Sequence, residues 1–418
     1  MTTMALGAQT VSRRAGLLLM AGALLLGVVP SLAPAGVALG ETAQAAGAQL
    51  RSGAGSTATD KIDPAVLRVQ RGPVDVIVSG APGQSWQLRN AIKHSGGTVA
   101  GSLPMVSGFR ATVPAHRLVD LAGSPAVTAV TKNRVMRFEE FSYDETTTAS
   151  SFARVSGAPA LWRDGKLGQG VGVAVLDTGV SPMNDFDGRL VHGPDLSGEG
   201  TIIDSYGHGT VMAGIVGGSG ADSAGRTGGA YTGIAPKSTV VAVKVAGANG
   251  VTDVSTVLQG LHWVSAYKDQ FNIRVVNLSW GVASTQSPTI DPLNYAVERL
   301  WQQGIVVVVA AGNAGAKLGT TLKPADDPMV ISVGAFDDKQ NVDPLDDSIP
   351  AWSSRGPTAA GLSKPDLVAS GRTLVAARSF GSTVEKDNPK ALISPSYIKG
   401  SGTSESAAVT SGAAALLL

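Results

Sequence analysis

The chain has 418 residues, 43% hydrophobic and 16% charged, with a net charge of +1. This is an ordinary globular balance, long enough for two or three domains, and with no basic cluster it argues against a nucleic-acid partner. The absence of cysteine excludes disulfides, thiol nucleophiles and cysteine-based zinc sites.

Arg13 and Arg14 precede an uncharged, Leu-rich stretch from Ala15 to Val29, which Pro30 and Pro34 break before a run of small residues. A charged start, a short apolar run and a small-residue zone predict a secretory signal peptide over 1–45, and so a secreted, extracellular protein with no stable membrane partner. Ala43-Gln44-Ala45 is one of several candidate cleavage sites, and Ser12-Arg13-Arg14 also fits a twin-arginine leader. The alternative is an uncleaved membrane anchor, because no charge interrupts Ala15 to Gly40. Residues 46–72, rich in Ala, Gly, Ser and Thr, predict a flexible linker.

Residues 73–138 read as a small unit. Strands are expected at Val74–Ser79, Thr98–Val99, Phe109–Val113 and Ala126–Lys132, and helices at Trp86–His94 and Pro114–Ala122. That order is the split, ferredoxin-like α+β arrangement. Its His94 and His116 read as helix-surface residues. Residues 139–153 are acidic, then rich in Thr and Ser. They predict an exposed, cleavable linker.

From 154 onward, short β-branched runs alternate with helical segments. Val171–Leu176, Val240–Val245, Val275–Leu278, Ile305–Ala310 and Val330–Val333 read as parallel strands buried on both faces. Val254–Tyr267 and Tyr295–Gln303 read as helices. The expected architecture is an α/β parallel sheet with helices on both faces, with its site at the carboxyl ends of the strands.

Three motifs there carry chemistry. Asp177-Thr178-Gly179 ends an apolar run, His208 stands between Gly207 and Gly209, and Ser404 follows Ser401-Gly402-Thr403 before an Ala-rich helix. An Asp, a His and a Ser in this order form a constellation in which Ser attacks, His moves the proton and Asp orients His. Each alone has a plainer reading: a turn acid, a structural imidazole or an N-cap serine. Asn313, closing Ala310-Ala311-Gly312-Asn313, is either a turn residue or an amide donor to an oxyanion. A nucleotide-binding reading of Gly168, Gly170 and Gly172 fails because they precede the strand rather than follow it. A lipase-type site would need G-x-S-x-G and the order Ser…Asp…His.

With these motifs, residues 154–418 resemble a subtilisin-like serine protease. Val173–Gly179, His208–Gly214, Val276–Gly281, Ala310–Asn313, Ser353–Pro357 and Lys364–Leu367 are similar to that family's motifs. The resemblance implies a secreted endopeptidase acting on polypeptide substrates. Asp177, His208 and Ser404 would be catalytic, and Asn313 would serve the oxyanion hole. It implies substrate binding by Leu278, Ser279, Trp280, Gly281, Ala311 and Gly312. It further implies that 73–138 is a propeptide, an intramolecular chaperone and inhibitor, released by self-cleavage within 139–153. The other reading of the same fold is a catalytically silent scaffold that binds peptides.

The chain departs from the family's pattern at several positions. Glu405, Ser406, Ala407 and Ala408 replace the usual Met-Ala and the Pro after it, and Ser370 replaces a Pro. A carboxylate beside Ser404 predicts a raised His208 pKa and an alkaline optimum. Fourteen residues follow Ser404, so the peptidase domain, 154–418, is expected to be truncated at its C-terminus. No cofactor is needed for the chemistry. Structural calcium is common in the family, and Asp185, Asp187, Asp326 and Asp327 are carboxylates of suitable type without a specific ligand spacing.

Overall fold

A computed structural model describes residues 57–418 apart from 139–140, 146–149, 228–229, 316 and 318. The expected signal peptide, 1–45, lies outside the described residues, as does 46–56 of the expected linker.

The linker reading is corrected from Thr57 onward, where the chain belongs to the small unit. Asp63 caps a short helix, Pro64–Leu67, by accepting from the Ala65 amide (2.8 Å). It also accepts from Lys132 N (3.1 Å) and ion-pairs with Arg134 (2.6 Å). Ile62 and Val66 join the unit's core. Small and polar composition concealed these two apolar anchors.

That unit contains β1 (Pro73–Gly80), α1 (Ser85–His94), β2 (Thr98–Leu103), β3 (Gly108–Pro114), α2 (Leu118–Ala122) and β4 (Val127–Lys132). Its antiparallel sheet runs β2-β3-β1-β4, the ferredoxin-like order. Alternation along β1 decides what each face covers. Val74, Val76 and Val78 meet Leu88, Ile92, Leu118 and Leu121 inside the unit, whereas Ile77 turns outward into the core of the larger domain.

The small unit ends with β5 (Val135–Arg137), and the larger domain follows with β6 (Gly172–Asp177), β7 (Leu190–Asp195), α3 (His208–Gly217), β8 (Thr239–Lys244) and β9 (Val251–Asp253). Next come α4 (Val254–Tyr267), β10 (Ile273–Leu278), α5 (Pro292–Gln302), β11 (Val306–Ala310), β12 (Ile331–Phe336) and β13 (Leu367–Ser370). The hairpin strands β14 (Leu374–Ala377), β15 (Leu392–Ser394) and β16 (Tyr397–Gly400) precede α6 (Thr403–Leu417). Seven strands form a parallel sheet in the order β13-β12-β11-β10-β6-β8-β7.

The all-apolar strands are explained by two cores. Val173, Val175, Val275, Val308 and Ala310 meet Val211, Met212 and Ile215 of α3 and Ala407 and Ala408 of α6. The alternating Ala174, Leu176, Val276, Leu278, Val307 and Val309 meet Val257 and Leu261 of α4 and Val297 and Leu300 of α5. Each fully buried Val or Leu contributes about 1.5–3 kcal/mol. Helix α3 is buried at every position, so it carries small residues where it touches neighbours. A Cβ on Gly214 would lie 2.6 Å from Ala377 N.

From β6 the chain builds outward to β8 and β7, then returns to build β10 through β13 on the other side. The reversal opens a crevice at the carboxyl ends of β6 and β10. The small unit docks over one face of the domain. Its turn residues Met105 and Val106 share the core of α4 and α5, and β5 pairs antiparallel with β9, Val135 opposite Asp253 and Arg137 opposite Val251.

Candidate active site

Asp177 is the last residue of β6 and is fully buried. Its Oδ1 accepts from Thr178 N (2.8 Å). His208 is the first residue of α3, and its Nδ1 meets Oδ1 and Oδ2 of Asp177 at 2.8 and 3.0 Å. This close fit of strand end and helix start needs glycine. A Cβ on Gly209 would fall 2.1 Å from Gly179 O.

A second buried carboxylate, Asp204, lies behind this pair and was not singled out from the sequence. It accepts from Thr178 Oγ1 (2.8 Å), Gly207 N (2.7 Å), Thr210 N (2.8 Å) and Thr210 Oγ1 (2.7 Å). Burial pushes its pKa up and those four donors oppose the rise. It ties the turn before α3 to the loop after β6. The available signal was an acid four residues before His208, in helix-capping range.

Ser404 is the second residue of α6. Its hydroxyl donates to Ser279 O (3.0 Å), and Ser279 Oγ donates back to Ser404 O (2.9 Å). Among the described hydrogen bonds this hydroxyl does not reach His208. Asn313 is locked by its carbonyl, which accepts from Thr403 N (2.9 Å). A Cβ on Gly402 would lie 3.1 Å from Asn313 Nδ2 and 3.6 Å from Ser404 N. Two N–H donors, one at the N-terminus of a 15-residue helix, therefore border a space kept clear by a glycine. That arrangement suits a developing oxyanion.

Glu405 borders the same space. It is buried, 2% exposed, and its Oε2 lies 2.8 Å from the position of that Cβ on Gly402. Burial alone would lower the His208 pKa. The charge and hydrogen bond of Asp177, then the charges of Glu405 and Asp204, outweigh it and raise the pKa from 6.5 to about 9.

The proposed pocket residues separate by face. Ser279 touches Ser404, and Gly281, Ala311 and Gly312 flank the crevice. Leu278 and Trp280 do not: both belong to the core under α4 and α5, and the Trp280 indole donates to Leu176 O (2.8 Å). Strand alternation sends them to the far side, which corrects the expectation that they line the pocket. The candidate calcium carboxylates do not converge, and among the described residues no group of three His, Cys, Asp or Glu is placed to hold a metal ion. Asp185 accepts from Tyr397 OH (2.8 and 3.0 Å), Asp326 pairs with Lys323 (2.7 Å), Asp327 Oδ1 accepts from Met329 N (2.8 Å), and Asp187 is exposed.

The chain's own segment runs past this site. Beyond β5, Phe138 N donates to Gly250 O (2.8 Å), and its ring lies 5.2 Å from the His208 ring. On the other side Ser142 bridges antiparallel to Ser401, donating to Ser401 O (3.1 Å). Among the described residues, no helix is long and apolar enough to cross a membrane.

The profile of the subtilase family matches residues 168–418, more than half of the chain. Serine protease AprX of Bacillus subtilis is 36% identical over 282 residues, which is 66% of this chain and 62% of that one. An alkaline protease of Alkalihalobacillus alcalophilus is 35% identical over 219 residues, covering 51% and 53%. The chain thus spans between half and two thirds of the length of these relatives. Among solved structures, fervidolysin from Fervidobacterium pennivorans, a keratinolytic enzyme related to subtilisin, matches with a TM-score of 0.65 at 20% identity over 85% of this chain and 56% of that one. At that identity the likeness speaks for the subtilisin-like fold alone. On the family match and the fold together, the chain belongs to the subtilase family.

Proposed function

We propose that the protein is a serine endopeptidase made as a secreted, self-processing zymogen. The observation that carries the proposal is the bond of His208 Nδ1 to Asp177 at the strand ends where α6 presents Ser404. Ser404 attacks a peptide carbonyl and His208 takes its proton. Asp177 holds the imidazole in the productive tautomer and balances its positive charge. The Asn313 amide and the Ser404 backbone N–H receive the oxyanion. His208 then protonates the leaving amine, and water hydrolyses the acyl-enzyme by the same steps in reverse. No cofactor enters this chemistry.

Substrate adds as a strand to the β9 edge, as the chain's own Val135–Arg137 does. Residues 73–138 act as the propeptide, and the self-cleaved bond lies on the stretch Phe138–Phe141. A silent peptide-binding scaffold is the second reading, favoured by the Ser404 hydroxyl turned to Ser279 O and by the adjacent Glu405. Intact mass and N-terminal sequencing of the expressed protein beside its Ser404→Ala copy separate the two. Loss of the segment up to 138–141 in the wild type alone supports the peptidase. Identical masses support the scaffold.

A further inference from the structure

Gly281 and Gly312 face one another across the crevice beside Ser404, one beyond the end of β10 and the other beyond the end of β11. Glycines on both walls would ordinarily leave a deep slot for a substrate side chain. Here the slot is filled. A Cβ on Gly281 would lie 2.6 Å from Leu322 Cβ and 3.0 Å from Leu322 Cδ1; one on Gly312 would lie 2.7 Å from Leu322 Cγ and 2.8 Å from Cδ1. The isobutyl group therefore stands against both walls at once. The backbone holds it there: Leu322 N donates to Ala311 O (3.0 Å), and Lys323 bridges antiparallel to Val282, with both amides donating across at 3.0 Å. Lys323 is itself anchored below, pairing with Asp326 at 2.7 Å. Leu322 is only half-buried, so it closes the slot while remaining open to an arriving substrate.

The residue on the acyl side of the cleaved bond has to enter this slot. Its carbonyl must reach Ser404 Oγ with its oxygen toward Asn313 and Ser404 N. Its Cα is one bond away, next to Gly312, whose amide donates to Thr403 Oγ1 at the start of α6 (3.0 Å). We infer that Leu322 is the specificity-determining residue of this site, restricting the acyl-side position to small side chains such as Gly, Ala and Ser. The inference rests on the peptidase reading above. Each methylene that a pocket cannot accept costs about 10–200-fold in kcat/KM.

The chain's own Phe138–Phe141 stretch holds no small residue. Its cleavage is carried by proximity, with the β5–β9 pairing tethering the chain up to Arg137 beside the site, so it is expected to be slow.

The test begins with the wild type. Fragments of an unfolded protein substrate are sequenced by mass spectrometry, with the Ser404→Ala copy as blank. Cuts after Gly, Ala and Ser support the inference; cuts mainly after Phe, Tyr, Leu or Met overturn it. The second arm is Leu322→Gly, assayed on paired peptides ending in Ala or Phe before the cleaved bond. A shift of the Phe-to-Ala ratio in kcat/KM by at least about tenfold toward Phe, with faster self-cleavage, is expected. An unchanged ratio in a folded variant overturns the inference while leaving the peptidase reading intact. A wild type that cleaves nothing overturns both.

Discussion

Electrostatics at His208 makes the sharpest residue-scale demand. A pKa raised from 6.5 to about 9 leaves the imidazole protonated at neutral pH and short of the base form that the proposed mechanism needs to take the Ser404 proton. The first self-cleavage turnover should accelerate as pH rises toward about 9. The groups setting this are Asp177, Glu405 and Asp204 around the ring, with the Phe138 ring against it. Glu405→Gln removes one negative charge without removing bulk, so the acid limb of the pH profile should move down. An unshifted limb would show that Glu405 does not act on His208. Stability has the opposite sign: a raised histidine pKa stabilises the fold fully below 6.5, and this is lost as pH rises through about 9. The Asp177–His208 bond and Asn313 beside Ser404 were legible from residue type and chain order. The orientation of Trp280 was not, because one residue of register decides which face a strand-end side chain takes.

Among the elements, β9 and α4 share one residue that separates local from interface energetics. Asp253 closes β9 and caps α4, accepting from Thr256 N (2.9 Å), Thr256 Oγ1 (3.0 Å) and Ser255 Oγ (2.7 Å). It also pairs with Arg110 of the small unit at 3.3 Å. An exposed ion pair is worth about 0–1 kcal/mol, whereas a lost aspartate cap costs about 0.5–2 kcal/mol. In the uncut Ser404→Ala background, Asp253→Ala should therefore lower stability to denaturant more than Arg110→Ala. Both variants lose the pair, so the reverse order would mean that the bonds of Arg110 to Asp75 within the small unit (3.2 and 2.8 Å) outweigh the cap. Long apolar strands such as β6 and β10 were legible because burial on both faces writes a continuous run. β13 is largely exposed and β7 only half-buried throughout, so neither carries that signal, and both escaped the sequence reading. The short edge strands β5 and β9 escaped it as well, since each is ordered by the other.

At the scale of the whole molecule, cleavage and activation need not coincide. Cutting the chain at Phe138–Phe141 breaks one covalent bond but leaves the docked surface of the small unit intact. Ile77, Leu103, Met105, Val106, Met136 and Phe138 all lie in the core shared with α4 and α5. At about 1.5–3 kcal/mol per buried apolar side chain, the six supply about 9–18 kcal/mol, comparable with the association cost of about 4–15 kcal/mol, and the β5–β9 hydrogen bonds add to them. The cut unit should stay bound across the substrate edge and keep the site closed. Peptide hydrolysis is then expected to lag behind the appearance of the cut species by mass. Val106→Asp alters the docking turn away from His208 and Ser404, so it should shorten that lag while leaving the cleavage time course in place. If hydrolysis in the wild type rises in step with cleavage, the unit does not inhibit, and its tight fit against α4 and α5 serves folding of the domain instead.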